Sequence, residues 1–457
     1  MLSRRGPAAR ALACVTAACA GLAGFLALAA PPAAADAGGI SQSQQWVLSM
    51  LGAPGAWTVS RGQGVTVAVL DSGVVPGVSS LAGSVTSGPD LTGTDTPPDN
   101  SDWGQHGTWM ASIIAGHGTG GVTGVAPDAS ILSVRVIPDR NDPGYGAYDR
   151  ERGSRIQQAL ATGIRYAVDH GAQVISMSIG YAEPSAVVRL ALQDASRHGV
   201  VVVASSGNSG TSGFDRHHGY APFAFPADYP GVIGVAAVHA DGTAASFSSG
   251  NLSVLVAAPG VNIPAQGRDG RYWLVSGTSP ACALVAGVAA LIKSRYPHLA
   301  PALVARAMTS TTRYRPAGGY DGSVGFGTVD AAAALSAAGQ LAREYGTQPG
   351  GARGHGHAGV AAAEVFGGGP AAVPPPPVSS RGPGWLILFA ALALASLALT
   401  AAGAGRLAVL RRTRQGYAGV PAAGGEGVPA AGPPPGAGFP PAGCGRDGHG
   451  HRYTGGS

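Results

Sequence analysis

The chain has 457 residues, of which 45% are hydrophobic and only 12% are charged, so it can supply a large buried core. Its net charge of +5 does not indicate a nucleic-acid partner, because residues 36–380 carry 19 basic against 22 acidic side chains and the excess arginines flank apolar segments near both ends. The four cysteines show neither a disulfide framework nor a metal-binding spacing, and Cys282 is alone in the central region.

The first 35 residues have the pattern of an export signal. Three arginines within the first ten residues precede an apolar run over 11–30, which prolines and a stretch of alanines ending at Ala35 follow. A charged start, an apolar centre and a small-residue end are typical of a cleaved signal peptide, and we expect cleavage near Ala35. An uncleaved signal anchor is the alternative that the pattern leaves open.

Residues from about 64 to 335 alternate between predicted strands and helices. Short β-branched runs predict strands at Val65–Leu70, Ile131–Ile137, Val174–Ile179, Val200–Ala204 and Val232–Val238. Longer segments between and after them predict helices over 108–115, 154–170, 185–198 and 281–295. This alternation predicts an α/β fold with a mostly parallel sheet covered by helices, in which functional residues gather at the carboxyl ends of the strands.

Three reactive side chains stand beside glycines in the order Asp71, His106, Ser279. A carboxylate, an imidazole and a hydroxyl are the groups of an acyl-transfer triad, and this chain order is the one of subtilisin rather than of chymotrypsin or the α/β-hydrolases. We therefore predict that Ser279 is the nucleophile, that His106 is the general base and then the acid, and that Asp71 orients the imidazole.

A fourth polar residue, Asn208, follows the predicted strand Val200–Ala204 after a short turn and is the predicted oxyanion donor through its side-chain amide. Each of the four residues alone has an ordinary structural explanation: Ser279 as a helix N-cap, His106 as a structural histidine, and the other two as turn residues. Their joint occurrence in this order, on these elements, favours the catalytic interpretation.

From about residue 45 to 335 the chain resembles the subtilisin-like serine protease (subtilase) family. Further segments that resemble family landmarks are Gly124–Ala129, Val174–Gly180, Phe225–Pro230, Ser246–Ser249 and Ala258–Gly260. The resemblance implies a three-layer α/β fold. It also implies that Ser178, Ile179 and Gly180 pair with an extended substrate strand and that Gly207 walls the specificity pocket.

One position and one short segment depart from the family pattern near the predicted triad. The family has a histidine after its His-Gly-Thr motif, where this chain has Trp109, and it has Met-Ala-Ala/Thr-Pro after the serine, where this chain reads Pro280-Ala281-Cys282-Ala283. These changes bear on rate and specificity more than on mechanism. No acidic cluster clearly matches a calcium site, so neither a metal nor another cofactor is predicted.

The C-terminal third predicts a single membrane anchor. No charged residue occurs over 382–405, which is long enough to cross a bilayer, and Trp385 suits one interface while four arginines begin at Arg406. We therefore predict a peptidase domain over 36–345 outside the membrane, a Gly/Pro-rich linker over 346–384, a transmembrane helix over 385–410 and a basic, then disordered, cytoplasmic tail over 411–457. A buried core helix is the alternative reading of the apolar segment.

This layout resembles a narrower group of subtilases, the mycosins, which are membrane-anchored proteases of type VII secretion systems. The resemblance implies an extracytoplasmic serine endopeptidase whose partners are a polypeptide substrate, the cytoplasmic membrane and the secretion machinery, with no nucleic acid. Two other functions stay open on the sequence. One is a structural component of a secretion complex with weak or dispensable proteolysis, and the other is a general degradative surface protease.

Overall fold

The computed structural model describes residues 37–119, 121–150, 152–210 and 220–345. The predicted signal peptide (1–35), linker (346–384), transmembrane helix (385–410) and tail (411–457) lie outside these residues. Within the described ranges, no helix combines the length and the apolar character needed to cross a bilayer.

Seven parallel strands form the main sheet, and two antiparallel strands form a separate hairpin. The main strands are β1 (Thr66–Asp71), β2 (Val85–Asp90), β3 (Ser130–Arg135), β4 (Val174–Met177), β5 (Val201–Ser205), β6 (Val232–Val238) and β7 (Val254–Pro259). The hairpin pairs β8 (Ile263–Gln266) with β9 (Tyr272–Val275). The order in the main sheet is β2-β3-β1-β4-β5-β6-β7.

The helices are distributed along the whole described chain. They are α1 (Ala37–Met50), α2 (Ala53–Ala56), α3 (Gln105–Ala115), α4 (Tyr145–Arg150), α5 (Arg152–Asp169), α6 (Ala186–Arg197), α7 (Thr278–Arg295), α8 (Pro301–Ser310) and α9 (Ala331–Tyr345). The five predicted strands and four predicted helices are all present, with ends shifted by one to a few residues. The sequence did not predict β2, β7, the hairpin, the helices α1, α8 and α9 or the short helices α2 and α4.

Both faces of the sheet are buried, as the apolar strands predict. Along β1, Val67 and Val69 pack into one core with α3 and α7, whereas Ala68 and Leu70 pack into a second core with α5 and α6. Successive side chains of a strand point to opposite faces, so an unbroken apolar run gives two buried faces. The predicted three-layer α/β architecture is therefore confirmed.

The carboxyl ends of the central strands place several polar residues at one edge of the sheet. Strand β1 pairs with β3 on one side and with β4 on the other, all parallel, and the chain crosses from one side of β1 to the other between β3 and β4. Such a crossing opens a crevice beyond the strand ends. Asp71 ends β1, Ser178 directly follows β4 and Asn208 follows β5, so the fold brings them to this crevice.

Candidate active site

The imidazole of His106 is bound directly to the carboxylate of Asp71. The distance from His106 Nδ1 to Asp71 Oδ1 is 2.7 Å, and the same oxygen accepts the backbone N–H of Ser72 at 2.7 Å. The side chain of Asp71 is 1% exposed, whereas that of His106 is 21% exposed. A proton held on Nδ1 by this carboxylate leaves Nε2 of the neutral imidazole as the acceptor, which is the state that a general base requires.

Helix α3 carries His106 in its first turn and lies very close to the end of β1. It starts after Gly104, whose φ of 76° is in the left-handed region. A Cβ placed on Gly107 would lie 2.2 Å from the carbonyl oxygen of Gly73 and 3.3 Å from Cβ of Asp71. Only glycine at position 107 allows this approach, and the approach sets the distance between the carboxylate and the imidazole.

The pKa of His106 is held above its ordinary value by two carboxylates. Burial by itself lowers the pKa, because it penalises the charged imidazolium. The charge and hydrogen bond of Asp71 and the charge of Asp139 act in the other direction, and together they outweigh burial. The imidazole is therefore surrounded by groups that stabilise the protonated form, which it must adopt after taking a proton.

Ser279 is the second residue of α7 and lines the same cleft as His106. Its hydroxyl donates a long hydrogen bond of 3.5 Å to the carbonyl oxygen of Ser178, and Ser178 Oγ donates to the carbonyl oxygen of Ser279 at 3.1 Å. Among the described residues, Ser279 Oγ makes its hydrogen bond to Ser178 and not to His106. Hydrogen bonds between nucleophile and base are often loose in unliganded sites and tighten once substrate is bound.

The side chain of Asn208 is oriented by α7. Its Oδ1 accepts hydrogen bonds from the backbone N–H and from the hydroxyl of Thr278, both at 2.9 Å. Because both bonds need an acceptor, they identify the oxygen of the amide and leave its NH2 group as the donor on the cleft side. Asn208 lines the cleft together with Ser279, so a donor and a hydroxyl stand side by side there.

The expected substrate-binding residues divide into two groups. Ser178, Ile179 and Gly180, which follow β4, line the cleft. Gly207 is buried next to it, where its N–H donates to Thr278 Oγ1 at 3.2 Å. The contact of Gly207 with a substrate side chain stays a prediction.

The family model of the subtilases (peptidase S8) matches residues 62–327 of the chain. The chain belongs to the subtilase family. It is 37% identical to thermitase from Thermoactinomyces vulgaris over 255 residues, which are 55% of this chain and 83% of thermitase. It is also 36% identical to subtilisin DY from Bacillus licheniformis over 252 residues, which are 55% of this chain and 84% of that relative. The class of enzyme is thus a serine endopeptidase.

Solved structures of mycosins resemble this subtilase. MycP1 from Mycobacterium smegmatis is 31% identical, with 64% of this chain and 84% of that chain covered and a TM-score of 0.52. The MycP3 protease from the type VII (ESX-3) secretion system is 32% identical, with 64% and 87% covered and a TM-score of 0.54. The predicted resemblance to both the subtilases and their mycosin group is confirmed.

The active-site cleft of this subtilase has a volume of about 790 Å³ and an aromatic wall. Trp109, which stands where the family has histidine, presents its ring to His106 edge to face with centroids 6.2 Å apart. On its other side it packs against Trp273 of β9 at 5.4 Å. Trp109 is only 8% exposed, so the substitution fills space beside the imidazole with an apolar ring.

Among the cleft residues that were not predicted from the sequence, Trp273 and Asp139 bear most directly on the surroundings of His106. Trp273 lies on the hairpin, and no sequence pattern relates that hairpin to the triad. Asp139 lies in the loop after β3, and its signal in the sequence was partial: it stands two residues after the predicted strand Ile131–Ile137, but the position of that strand beside β1 is visible only in the structure. Strand β3 is a parallel neighbour of β1, so a carboxylate shortly after it reaches the same edge of the sheet as Asp71.

The thiol of Cys282 lies one helical turn beyond Ser279 and does not compete with it as a nucleophile. The residue is fully buried and forms no disulfide within the described ranges, and burial raises the pKa of the thiol to about 12. The thiolate is therefore scarce at neutral pH. No group of three metal-ligating side chains comes together in the part of the chain that the structure describes.

Proposed function

We propose that this subtilase is a membrane-anchored, extracytoplasmic serine endopeptidase that acts together with a type VII secretion system. The observation that carries the catalytic part is the 2.7 Å bond between Asp71 and His106, in a cleft that Ser279 and Asn208 also line. The location and the partner rest on the sequence outside the described residues and on the likeness to the mycosins.

Peptide hydrolysis follows from the roles of these four side chains. The Ser279 oxygen attacks the scissile carbonyl carbon while His106 Nε2 takes the hydroxyl proton, and the π electrons of the carbonyl move onto its oxygen. The Asn208 NH2 group and the backbone N–H of Ser279 in the first turn of α7 stabilise that oxyanion. The C–N bond then breaks, His106 returns the proton to the leaving amine, and water repeats the sequence on the acyl-enzyme ester.

The substrate of the proposed reaction is an extended polypeptide. Ser178, Ile179 and Gly180 follow a strand of the main sheet and line the cleft next to Ser279, so a peptide that pairs with them presents its carbonyl groups to the serine. Main-chain hydrogen bonds of this kind supply affinity with little dependence on sequence, and the side chains of the cleft then select among substrates.

Two observations support the proposed location and partner. The uncharged segment 382–405 and the arginines that follow it favour an anchor with the peptidase domain outside the membrane. Solved structures that resemble this chain include MycP1 from the ESX-1 and MycP3 from the ESX-3 type VII secretion systems. Processing of proteins that such a system exports fits an endopeptidase held at this surface.

The catalytic proposal is tested with a fluorophosphonate probe, which forms a covalent bond with an activated serine. We expect the full-length chain to be labelled and Ser279→Ala to lose the label entirely, because Ser279 is the proposed nucleophile and shares its cleft with His106. Absence of labelling in the folded wild-type chain would contradict the proposal.

A structural role with weak proteolysis is the second candidate function. It is favoured by the hydroxyl of Ser279, which is bonded to Ser178 rather than to His106, and by the replacement of a family histidine by Trp109. Secretion in cells that carry Ser279→Ala separates the two. Normal secretion supports the structural role, and loss of secretion with a stable, correctly located chain supports proteolysis.

A further inference from the structure

Asp139 binds the first turn of the helix that carries His106. Its Oδ2 accepts the backbone N–H of Gln105 at 2.8 Å, and its Oδ1 accepts the backbone N–H of His106 at 3.2 Å. The formal N-cap of α3 is Gly104, which has no side chain to offer. The cap of α3 therefore comes from a different segment, the loop after β3.

This arrangement holds His106 at two points. Asp71 binds the imidazole ring, and Asp139 binds the backbone of the same residue from the other loop. The first N–H groups of a helix have no partner within the helix, and a carboxylate placed there also interacts favourably with the helix dipole. Loss of that carboxylate frees the first turn of α3, and with it the position of Nε2.

We propose that Asp139 is a positioning residue for catalysis, which fixes His106 by binding the first turn of α3 with both carboxylate oxygens and stabilises the imidazolium with its charge. The proposal rests on the proposed proteolytic function, since a positioned general base matters only if His106 acts as one. Asp139 itself forms no bond with the imidazole or with the hydroxyl of Ser279 among the described residues.

Other charged groups also face His106 and Asp139 across the cleft. Beyond Asp71 they are Asp99, Asp102, Arg140, Arg268, Asp269 and Arg271. The tyrosines that line this side are Tyr145 and Tyr148 of α4. Arg271 is paired with Asp269 at 2.5 Å, and Arg268 donates to the carbonyl oxygen of Trp103 at 2.7 Å. Asp139 differs from the other cleft carboxylates because only it bonds to the backbone of α3.

The charge of Asp139 is coupled to that of His106. Burial raises the pKa of Asp139 to about 6, the charge of His106 opposes that rise and the charge of Asp71 adds to it. In return, the negative charge of Asp139 contributes to the raised pKa of His106. Removal of this charge must therefore lower the pKa of His106, so that the neutral, active imidazole persists to lower pH.

The test compares the full-length wild-type chain with Asp139→Asn in detergent. The second-order rate of fluorophosphonate labelling is measured across pH, and the titration of His106 is followed by NMR with ring-labelled histidine, assigned with His106→Gln. For Asp139→Asn we expect labelling to be roughly ten-fold slower at the pH where it is fastest. We also expect the pH at which the labelling rate falls on the acidic side to be lower than in the wild type. The His106 resonance should move to lower pH in parallel.

Two further variants keep the result interpretable. Asp139→Glu retains the charge, and we expect its His106 titration to stay near that of the wild type. Asp241→Asn is the matched control, because Asp241 also accepts a backbone N–H, that of Thr243 at 2.9 Å, in an exposed turn outside the cleft. We expect it to leave both readouts unchanged.

The outcomes separate this proposal from the proposed function. The positioning role is overturned if Asp139→Asn shows the same His106 titration and the same pH profile of labelling as the wild type. It is also overturned if Asp139→Asn lowers the thermal stability of the chain without changing the titration of His106. If Asp139→Asn does not fold, Asp139→Glu tests the role of the charge instead. Because this variant keeps the carboxylate, a His106 titration that is shifted to lower pH in Asp139→Glu would overturn that role. Absence of labelling in the wild type counts against the proteolytic function alone, because the NMR titration needs no activity.

Discussion

At the scale of single residues, the amide of Asn208 is bound at its oxygen and open to the cleft at its nitrogen. The oxygen of its amide is bound by Thr278 at the start of α7, and this leaves the NH2 group as the donor on the cleft side. The amide is therefore oriented before substrate arrives, which is the condition under which an oxyanion donor is effective.

We expect Asn208→Ala to lower kcat by about 10²- to 10³-fold with little change in KM, because the donor acts on charge that develops only in the transition state. The magnitude is that of the corresponding donor in a subtilisin. Steady-state kinetics on a peptide amide substrate measure it. Thr278→Val tests the orientation of the amide, since it removes the hydroxyl bound to Oδ1 and keeps the donor, although it also removes the acceptor of the Gly207 N–H. An unchanged kcat in Asn208→Ala would show that other groups hold the oxyanion.

The sequence identified the residues of the dyad and their neighbours because each stands in a short motif of small residues after a predicted strand or at the start of a helix. Asp71, His106, Asn208 and Ser279 all lie at the predicted edge of the sheet. Asp139 escaped this reasoning because it stands in no such motif. Its importance depends on two backbone N–H groups of a helix more than 30 residues earlier in the chain.

At the scale of elements, the contact between α3 and the end of β1 determines the geometry of the dyad. The helix approaches so closely that a Cβ on Gly107 would lie 2.2 Å from the carbonyl oxygen of Gly73, which is backbone and cannot turn away. A shift of α3 moves His106 relative to Asp71, since the imidazole and the tight contact belong to adjacent residues of one helical turn.

We expect Gly107→Ala to reduce kcat by about 10²-fold and to lower the free energy of unfolding by roughly 1–3 kcal/mol, because the added methyl group forces α3 away from β1. Steady-state kinetics on a peptide amide substrate and a denaturant titration measure the two effects.

Gly153→Ala in α5 is the matched control for Gly107→Ala. Nothing lies within 4 Å of a Cβ at that position, so alanine there should leave kcat unchanged and stabilise the helix slightly. Wild-type activity in Gly107→Ala would mean that the contact with Gly73 relaxes without moving His106.

The elements that the sequence predicted share one property, which is a continuous apolar run that is buried in the structure. Strand β5 is an example, with all five residues buried. Strand β2 was missed because it reads Val-Thr-Ser-Gly-Pro-Asp and is half exposed at the edge of the sheet. The adjacency of β3 and β1 was also beyond local patterns, since the chain forms β2 between them and then returns.

At the scale of the whole molecule, charge and hydropathy divide the chain into parts with different surroundings. The region 36–380 is nearly neutral. The basic excess lies outside it, where three arginines precede the apolar run over 11–30 and Arg381 and four arginines from Arg406 onward flank the uncharged segment 382–405. A folded protease in water gains nothing from a second apolar run of more than 20 residues after the described domain, whereas a bilayer accepts that run at full length.

We therefore expect the full-length chain to resist extraction from membranes by alkaline carbonate and a chain that ends at residue 384 to be recovered in the soluble fraction. Both forms should keep Ser279-dependent fluorophosphonate labelling, because the described domain ends at residue 345 and the cleft lies within it. Cell fractionation followed by probe labelling of each fraction measures location and integrity together.

A single charge in the apolar segment gives a sharper form of the same test. Leu394 lies near its middle, where an arginine costs about 2.5–3.5 kcal/mol of insertion free energy and a phenylalanine costs almost nothing. Leu394→Arg should shift the chain toward the carbonate-extracted fraction, and Leu394→Phe should behave as the wild type.

If the chain that ends at residue 384 stays in the membrane, the N-terminal apolar run over 11–30 has remained uncleaved and is the anchor. The discriminating step is then N-terminal sequencing of the membrane-bound form, because a start near Asp36 excludes that segment and a start near residue 1 retains it.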